Sequence, residues 1–150
     1  MRIVLQRVSR AAVRVDGKEH ARIGPGLLLL VGVEKGDDDA AAAAAASKVA
    51  HLRVFAAQPG MDERMDRSVT DTGGEVLVVS QFTLAGSTRK GRRPSFDGAA
   101  DPAEAERLYL RVADALREAG LRVATGSFRS MMEVELVNDG PVTFVVETGP

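Results

Sequence analysis

A continuous apolar run from Leu27 to Val33 constrains the fold of this chain more than any other segment. The run has the length of a β-strand. Because it has no charged or polar side chain, it should be buried on both faces. Gly24-Pro25-Gly26 breaks the chain immediately before it. The sequence therefore predicts an interior strand with other parts of the chain packed on both of its faces.

Further strand signals lie on both sides of this run. Arg2 to Val15 is rich in β-branched residues and is followed by Asp16-Gly17, a strong hairpin signal, and a return strand from Lys18 to Ile23. Later strands are predicted over residues 52–55, 75–79, 121–125, 132–136 and 142–147. Residues 58–71 are polar and are predicted to form a loop.

Two helices are predicted between these strands. Asp37-Asp38-Asp39 supplies N-cap candidates for an alanine-rich helix that reaches about Ala50. The second helix has Asp101 at its N-cap, Pro102 at its first position and Gly120 after its end. Its predicted apolar stripe is Ala105, Leu108, Val112, Leu116 and Ala119. We predict a single α+β domain over residues 1–150, with a mainly antiparallel or barrel-like β core and two main helices.

The composition excludes several classes of chemistry. The 150 residues include no cysteine, which excludes a disulfide framework and a thiolate nucleophile. The two histidines, His20 and His51, have no metal-ligand spacing, so no metal site is predicted. A net charge of −1 leaves nucleic-acid contacts to a local patch. The chain opens with strand-like sequence and has no long apolar segment, so we expect a cytoplasmic protein without a membrane span.

Ser80-Gln81-Phe82-Thr83-Leu84 is the first candidate for chemistry. It follows a predicted buried strand, and backbone N–H groups at such a strand end are free to bind a carbonyl oxygen or oxyanion. Ser80 and Thr83 add hydroxyls, and the Gln81 amide can both donate and accept. Taken alone, the same pattern also fits a strand that continues for a few residues with its polar side chains in water.

Arg89-Lys90-Gly91-Arg92-Arg93 is the second candidate. Four positive charges in five residues, followed by Pro94, form a flexible basic loop of the kind that binds phosphate backbones. Composition alone equally favours a solvated loop that serves only solubility.

Asn138-Asp139-Gly140-Pro141-Val142 is the third candidate and stands between two strand patterns. The pair Asp139-Gly140 is typical of a hairpin turn. Proline directly after it is unusual there, because it removes an N–H and restricts the residue before it. An X-Pro bond at a tight turn is also a place where a cis peptide can occur.

Together these segments resemble the D-aminoacyl-tRNA deacylases. The resemblance spans nearly the whole chain, and its most specific part is the Ser-Gln-Phe-Thr motif at residues 80–83 followed by Asn-x-Gly-Pro-Val-Thr at residues 138–143. The motifs that surround this pair also match: Gly26–Gly32, Lys90–Phe96 and Met132–Val137.

The resemblance implies a cofactor-free homodimer that hydrolyses the ester between a D-amino acid and the terminal adenosine of tRNA. It also implies removal of glycine wrongly attached to tRNA. A Gly-cis-Pro motif would enter the partner's active site and exclude L side chains. The residues implied as catalytic are Ser80, Gln81, Phe82 and Thr83. Those implied in substrate binding are Met132, Asn138, Gly140 and Pro141. Those implied in tRNA binding are Arg7, Lys90, Arg92 and Arg93.

Two departures from the family pattern bear on the substrate range. The family usually has Gly-Ala after the phenylalanine that corresponds to Phe128, where this chain has Arg129-Ser130. It usually has Lys-Met-Asn where this chain has Arg64-Met65-Asp66. Two alternatives therefore stay open: a sister deacylase that removes L-alanine from mischarged tRNA, and a non-catalytic RNA-binding dimer that uses the basic loop.

Overall fold

The sheet is organised about one long strand, β1 (Arg2–Val15). The computed structural model describes residues 1–149. On one side, β1 pairs antiparallel with β8 (Glu133–Glu147) over nearly its whole length. On the other side, its first half pairs with β3 (Gly26–Gly32) and its second half with β2 (Lys18–Ile23). The strands nearest the two ends of the described chain thus lie side by side.

Two parallel strands extend the sheet beyond β3. β6 (Glu75–Ser80) pairs with β3, and β7 (Arg122–Thr125) pairs with β6. The strand order is β2-β1-β3-β6-β7, with β8 beside β1. The predicted interior strand is confirmed as β3: Leu27 and Leu29 join one apolar cluster, whereas Leu28 joins the other.

Each face of the sheet has its own core. Two helices, α1 (Asp39–His51) and α3 (Pro102–Glu118), pack on one face. The other face is concave, since Val8, Leu28 and Leu77 meet side chains of β8 across it. This curvature confirms the predicted α+β fold with a barrel-like β core.

The two main helices begin where the sequence predicts. The Asp38 side chain accepts a hydrogen bond from the Ala41 N–H at 2.9 Å and caps α1. The proline of α3 lies in its first turn, although Asp101 makes no side-chain cap bond. Ala119, predicted in the apolar stripe of α3, is exposed, and Tyr109 is buried in the stripe instead.

The prediction of a loop over residues 58–71 is wrong. The segment contains β5 (Asp62–Arg67), which pairs with β4 (Phe55–Gln58), and the short helix α2 (Val69–Thr72). β4 and β5 form a small sheet of their own, and β5 buries no side chain. Without a buried face it lacks the apolar alternation by which a strand is recognised. The strand predicted at 52–55 overlaps β4 only at Phe55, where β4 begins.

The two strands predicted at 132–136 and 142–147 form a single strand, β8. Both halves run in the same direction along β1, because Val8 pairs with Asn138 and Gln6 pairs with Thr143. Residues 139–142, which we call the Gly-Pro loop, bulge out opposite Arg7. A hairpin would reverse the chain, so the hairpin interpretation of Asp139-Gly140 is wrong.

Candidate active site

A single turn of 3-10 helix, Phe82–Ala85, follows the end of β6, and we call it the Phe82 turn. The Gln81 N–H donates to the carbonyl of Val31 at 2.8 Å and fixes the start of the turn to β3. Gly32 lies directly beneath the turn. A Cβ at this position would be 2.7 Å from the Leu84 Cβ, so only glycine permits this close approach.

The first N–H groups of the Phe82 turn are available to a ligand. The N–H groups of Leu84 and Gly86 donate to the carbonyls of Gln81 and Thr83, at 3.1 and 3.0 Å. Within residues 1–149, the N–H groups of Phe82 and Thr83 have no acceptor, as expected for the first turn of a helix. Two adjacent unpaired donors can stabilise the oxyanion of a tetrahedral intermediate.

The side chains of this segment are polar or exposed. The Thr83 hydroxyl accepts a hydrogen bond from the Gln81 side-chain amide at 2.5 Å, its only partner within residues 1–149. The Phe82 ring is 55% exposed, and its centroid is 5.2 Å from that of Phe96. No acid or base therefore contacts the Thr83 hydroxyl, which can orient a water but has no group in contact to take its proton.

The basic loop Arg89–Arg93 lies next to the Phe82 turn. Ser87 and Ser95 close it with reciprocal backbone hydrogen bonds of 2.7 and 2.9 Å, and the Phe96 ring then packs against Phe82. Among residues 1–149 no ion pair involves the four cations of this loop, whereas Arg107 on α3 pairs with Asp39 and Glu104. The loop thus places uncompensated positive charge beside the two free N–H groups.

The segment after β7, residues 126–132, forms the opposite border of the site, and we call it the Phe128 loop. The Gly126 N–H donates to the carbonyl of Val78 at 2.9 Å, which places the loop beside the end of β6. The Met132 sulfur accepts the Ser127 N–H at 3.4 Å. The Phe128 ring stacks on Tyr109 of α3 with centroids 5.6 Å apart. Burial of Tyr109 raises the pKa of its phenol.

The Gly-Pro loop is held by the Asn138 side chain. Its amide donates to the carbonyls of Arg7 and Val142, at 2.9 and 3.0 Å, and so bridges β1 and the two ends of the bulge. The Gly140-Pro141 peptide is cis, and Gly140 has a φ of 123°, a conformation that L side chains rarely adopt. Both residues are exposed.

The structure turns Arg7 toward the protein interior. Its side chain is 12% exposed, and its guanidinium donates to the carbonyl of Val54 at 2.6 Å and to that of Asp139 at 3.2 Å. The Asp139 carboxylate adds an ion pair at 3.3 Å. Arg7 thus supports the Gly-Pro loop. The family resemblance groups Arg7 with the basic loop in tRNA binding, but the surroundings of Arg7 differ from those of that exposed loop.

The predicted site residues fall into two groups within one chain. Ser80, Gln81, Phe82, Thr83 and Met132 meet at the carboxyl ends of β6 and β7. Asn138, Gly140 and Pro141 lie opposite Arg7, whereas the Phe82 turn contacts Gly32, the partner of Arg2. Arg2 and Arg7 are five residues apart on β1, so the Phe82 turn and the Gly-Pro loop are separated by about 17 Å along this strand. One subunit therefore does not bring its Gly-Pro loop to its own Phe82 turn.

Both departures from the family pattern are surface features. Arg64 and Asp66 lie on β5 and pair with Asp62 and Arg53, at 2.8 and 3.5 Å. Arg129, at the tip of the Phe128 loop, has a φ of 59°. This left-handed conformation favours glycine, the residue that the family pattern has there, so the substitution retains the backbone at a conformational cost.

Sequence reasoning missed the stack of Phe128 on Tyr109 that anchors this loop. The only available signal was an aromatic residue on the buried face of α3, and such a residue is ordinarily part of the core. The histidines lie elsewhere: His20 is exposed on β2, and His51 contacts the Ser47 carbonyl at the end of α1. Residues 1–149 contain no group of three acidic or histidine side chains able to hold a metal ion. None of the helices described is long and apolar enough to cross a membrane.

The chain is similar to known proteins over nearly its whole length. Residues 4–147 match the sequence pattern of the family described as D-Tyr-tRNA(Tyr) deacylase. A protein of Heliobacterium modesticaldum named D-aminoacyl-tRNA deacylase is 57% identical over 147 residues, covering 98% of this chain and 96% of that protein. One of Geobacter sulfurreducens with the same name is 54% identical, covering 99% and 95%.

Two solved structures share the fold. The structure titled c-Myc DNA Unwinding Element Binding Protein superposes with a TM-score of 0.91 at 36% identity, and the match covers 100% of both chains. The structure of a probable eukaryotic D-amino acid tRNA deacylase superposes with a TM-score of 0.80 over 97% and 98% of the two chains. At 19% identity, the second comparison supports the fold alone.

Proposed function

This chain belongs to the D-Tyr-tRNA(Tyr) deacylase family, and from that premise we propose that it hydrolyses the ester of D-aminoacyl-tRNA. The products are a free D-amino acid and tRNA, so the enzyme is a hydrolase acting on ester bonds. The observation that carries the proposal is the pair of unpaired N–H groups at Phe82 and Thr83, beside exposed positive charge. The experiment that tests it is release of amino acid from matched D- and L-aminoacyl-tRNAs.

The reaction needs positioning more than it needs a strong nucleophile, because an aminoacyl ester is already activated. Water attacks the carbonyl carbon, and the N–H groups of Phe82 and Thr83 stabilise the resulting oxyanion. The intermediate collapses with cleavage of the bond to the ribose oxygen, and the proton released by the attacking water passes to that oxygen, which leaves as the tRNA hydroxyl. The Thr83 hydroxyl, oriented by Gln81, positions the attacking water.

The second half of the site comes from a second copy of the chain. The Gly-Pro loop is exposed and lies about 17 Å along β1 from the Phe82 turn of its own subunit. A symmetric dimer can place the loop of each subunit over the turn of the other. We therefore assign the active form to a homodimer in which both subunits build each site.

Chirality is selected by exclusion at this loop. In the assembled site, the backbone carbonyls of Gly140 and Pro141 face the substrate Cα, so an L side chain meets backbone atoms. A D side chain points away, and glycine has no side chain to exclude. The site therefore accepts D-aminoacyl and glycyl esters and distinguishes little among D side chains. We also propose that the enzyme acts in the cytoplasm, because tRNA is aminoacylated there.

Replacing Thr83 with alanine tests its role as a positioning group. We expect Thr83→Ala to lower kcat by about 10- to 100-fold, or about 1.4–2.7 kcal/mol, because only the orientation of water is lost. An essential covalent nucleophile would cost several orders of magnitude more. Single-turnover hydrolysis of D-aminoacyl-tRNA measures the loss. An acyl group trapped on the wild-type Thr83 oxygen would contradict the positioning role.

The basic loop should bind tRNA phosphates. Changing Lys90, Arg92 and Arg93 together to alanine should flatten the dependence of log Kd on log salt by about 0.7–0.9 for each phosphate that is no longer neutralised. The Kd is measured with deacylated tRNA across a salt series. A variant that changes Arg107, Arg111 and Arg117, which all form ion pairs within α3, is the matched control. An unchanged slope in the loop variant would make the loop a solvated surface.

Two other functions give different results in the same hydrolysis assay. A sister deacylase would release L-alanine from its tRNA and leave the D-aminoacyl ester intact. A binding protein would retain tRNA and hydrolyse neither ester. The DNA-binding name of the structurally similar protein and the uncompensated cations of the basic loop are the observations that favour binding alone.

A further inference from the structure

Arg129 is an exposed, positively charged residue at the edge of the candidate site, and its backbone has an unfavourable conformation. Its φ is 59°, and among the non-glycine residues of 1–149 only Asp16 also has a positive φ, at 52°, in an Asp-Gly turn where this conformation is common. The left-handed conformation is unfavourable for arginine because its Cβ comes too close to the following carbonyl oxygen. Such outliers are retained where the surrounding structure enforces them, and they concentrate at functional sites.

The Phe128 loop is well enough fixed to enforce this conformation. The Phe128 ring stacks on Tyr109, and the hydroxyls of Ser127 and Ser130 lie 2.7 Å apart on either side of the tip. The Ser130 N–H donates to the Ser127 carbonyl at 3.3 Å and closes the turn. The Arg129 side chain at the tip is exposed and forms no ion pair within residues 1–149.

The strand order places Arg129 across the Phe82 turn from the basic loop. The turn follows β6, which lies between β3 and β7. The chain beyond the basic loop returns to the β3 side, where the Ala100 N–H donates to the Val33 carbonyl at 3.1 Å. The Phe128 loop follows β7 on the other side. Unpaired positive charge therefore borders the Phe82 turn on two opposite sides.

We propose that Arg129 is a substrate-binding residue that contacts a phosphate of the tRNA acceptor end, across the site from the basic loop. This inference rests on the proposed function. The basic loop and Arg129 together form two arms that hold the acceptor strand while its terminal adenosine reaches the Phe82 turn. A guanidinium suits this contact because it donates two parallel hydrogen bonds to a phosphate.

The test compares Arg129→Gly with Arg122→Ala. Glycine at 129 suits the observed backbone, so the melting temperature should not fall. Arg122, exposed at the opposite end of β7 and likewise outside the ion pairs of residues 1–149, controls for loss of one charge. In about 0.1 M salt we expect Arg129→Gly to raise KM for D-aminoacyl-tRNA by about 5- to 8-fold, with kcat unchanged, and this increase should disappear near 1 M salt. The Arg122→Ala variant should retain the parent KM.

A substrate without phosphates separates this inference from the proposed function. With D-aminoacyl-adenosine, the parent enzyme and Arg129→Gly should have equal kcat and KM, and Arg129→Lys should recover part of the tRNA affinity. If the parent hydrolyses both substrates and Arg129→Gly leaves KM for tRNA and its salt dependence unchanged, the phosphate contact is disproved. If the parent hydrolyses neither substrate, the proposed function itself fails.

Discussion

Replacing Phe82 with proline is expected to lower kcat for D-aminoacyl-tRNA by about 10²- to 10³-fold relative to Phe82→Ala. Both substitutions remove the ring and its contact with Phe96. Only proline removes the backbone N–H, the donor that we assign to the oxyanion. The first position of a helical turn tolerates proline, and the Phe82 N–H has no acceptor within residues 1–149, so the fold should lose little. Pre-steady-state hydrolysis of the ester measures the chemical step.

The comparison has a defined failure. Equal kcat values for Phe82→Pro and Phe82→Ala, with equal melting temperatures, would exclude the Phe82 N–H as an oxyanion donor. Thr83→Pro and Thr83→Ala form a second pair at the neighbouring N–H. Loss confined to the Thr83 pair would assign the oxyanion to that N–H alone.

Gly140→Ala is expected to lower turnover of D-aminoacyl and glycyl esters alike, by about 100-fold or more. A Cβ at this position would lie 2.9 Å from both the Arg7 guanidinium and the Val142 side chain, at a φ of 123°. The loop must therefore shift away from its position on β1. Gly120→Ala is the matched control. Its φ of 93° imposes similar strain, but no atom lies within 4 Å of the added methyl.

Mixing subunits determines which chain uses the loop. The Gly140→Ala protein and the Phe82→Pro protein are purified separately, mixed in equal amounts and allowed to exchange subunits. If the loop serves the partner, each mixed dimer contains one site with both parts intact. Equal mixing then restores about a quarter of wild-type activity. If the loop serves its own subunit, every site has one damaged part and mixing restores nothing. Recovery would also establish that both variants fold.

The elements that the sequence predicts well are those with a strong, local pattern. β3 is a continuous apolar run, and α1 combines a side-chain cap with alanines of high helix propensity. The β4–β5 pair was missed because β5 is polar and buries no side chain, while β4 has four residues and buries only Ala56, so neither strand has a periodic buried face. Its existence depends on the pairing of the two strands, which a local pattern does not report.

The same distinction applies to the candidate site. The Phe82 turn could be placed from sequence because it follows directly on a buried strand. The role of Arg7 could not, because the carbonyls that its guanidinium contacts belong to Val54 and Asp139, 47 and 132 residues away. A basic residue on a strand is ordinarily predicted to face solvent. Only the tertiary fold places it beneath the Gly-Pro loop.

The pairing of the first strand with the last has a consequence for biosynthesis. The side-chain hydrogen bond from Gln6 to Thr143 spans 137 residues, so the pairing of β1 with β8 closes very long loops. A high contact order of this kind slows folding, because the entropic cost of loop closure comes before the contacts form. During synthesis on the ribosome, the edge of β1 that pairs with β8 has no partner until β8 has emerged. The Gly-Pro loop, to which we assign the selection of chirality, can therefore take its place on β1 only after residues 139–142 have been synthesised.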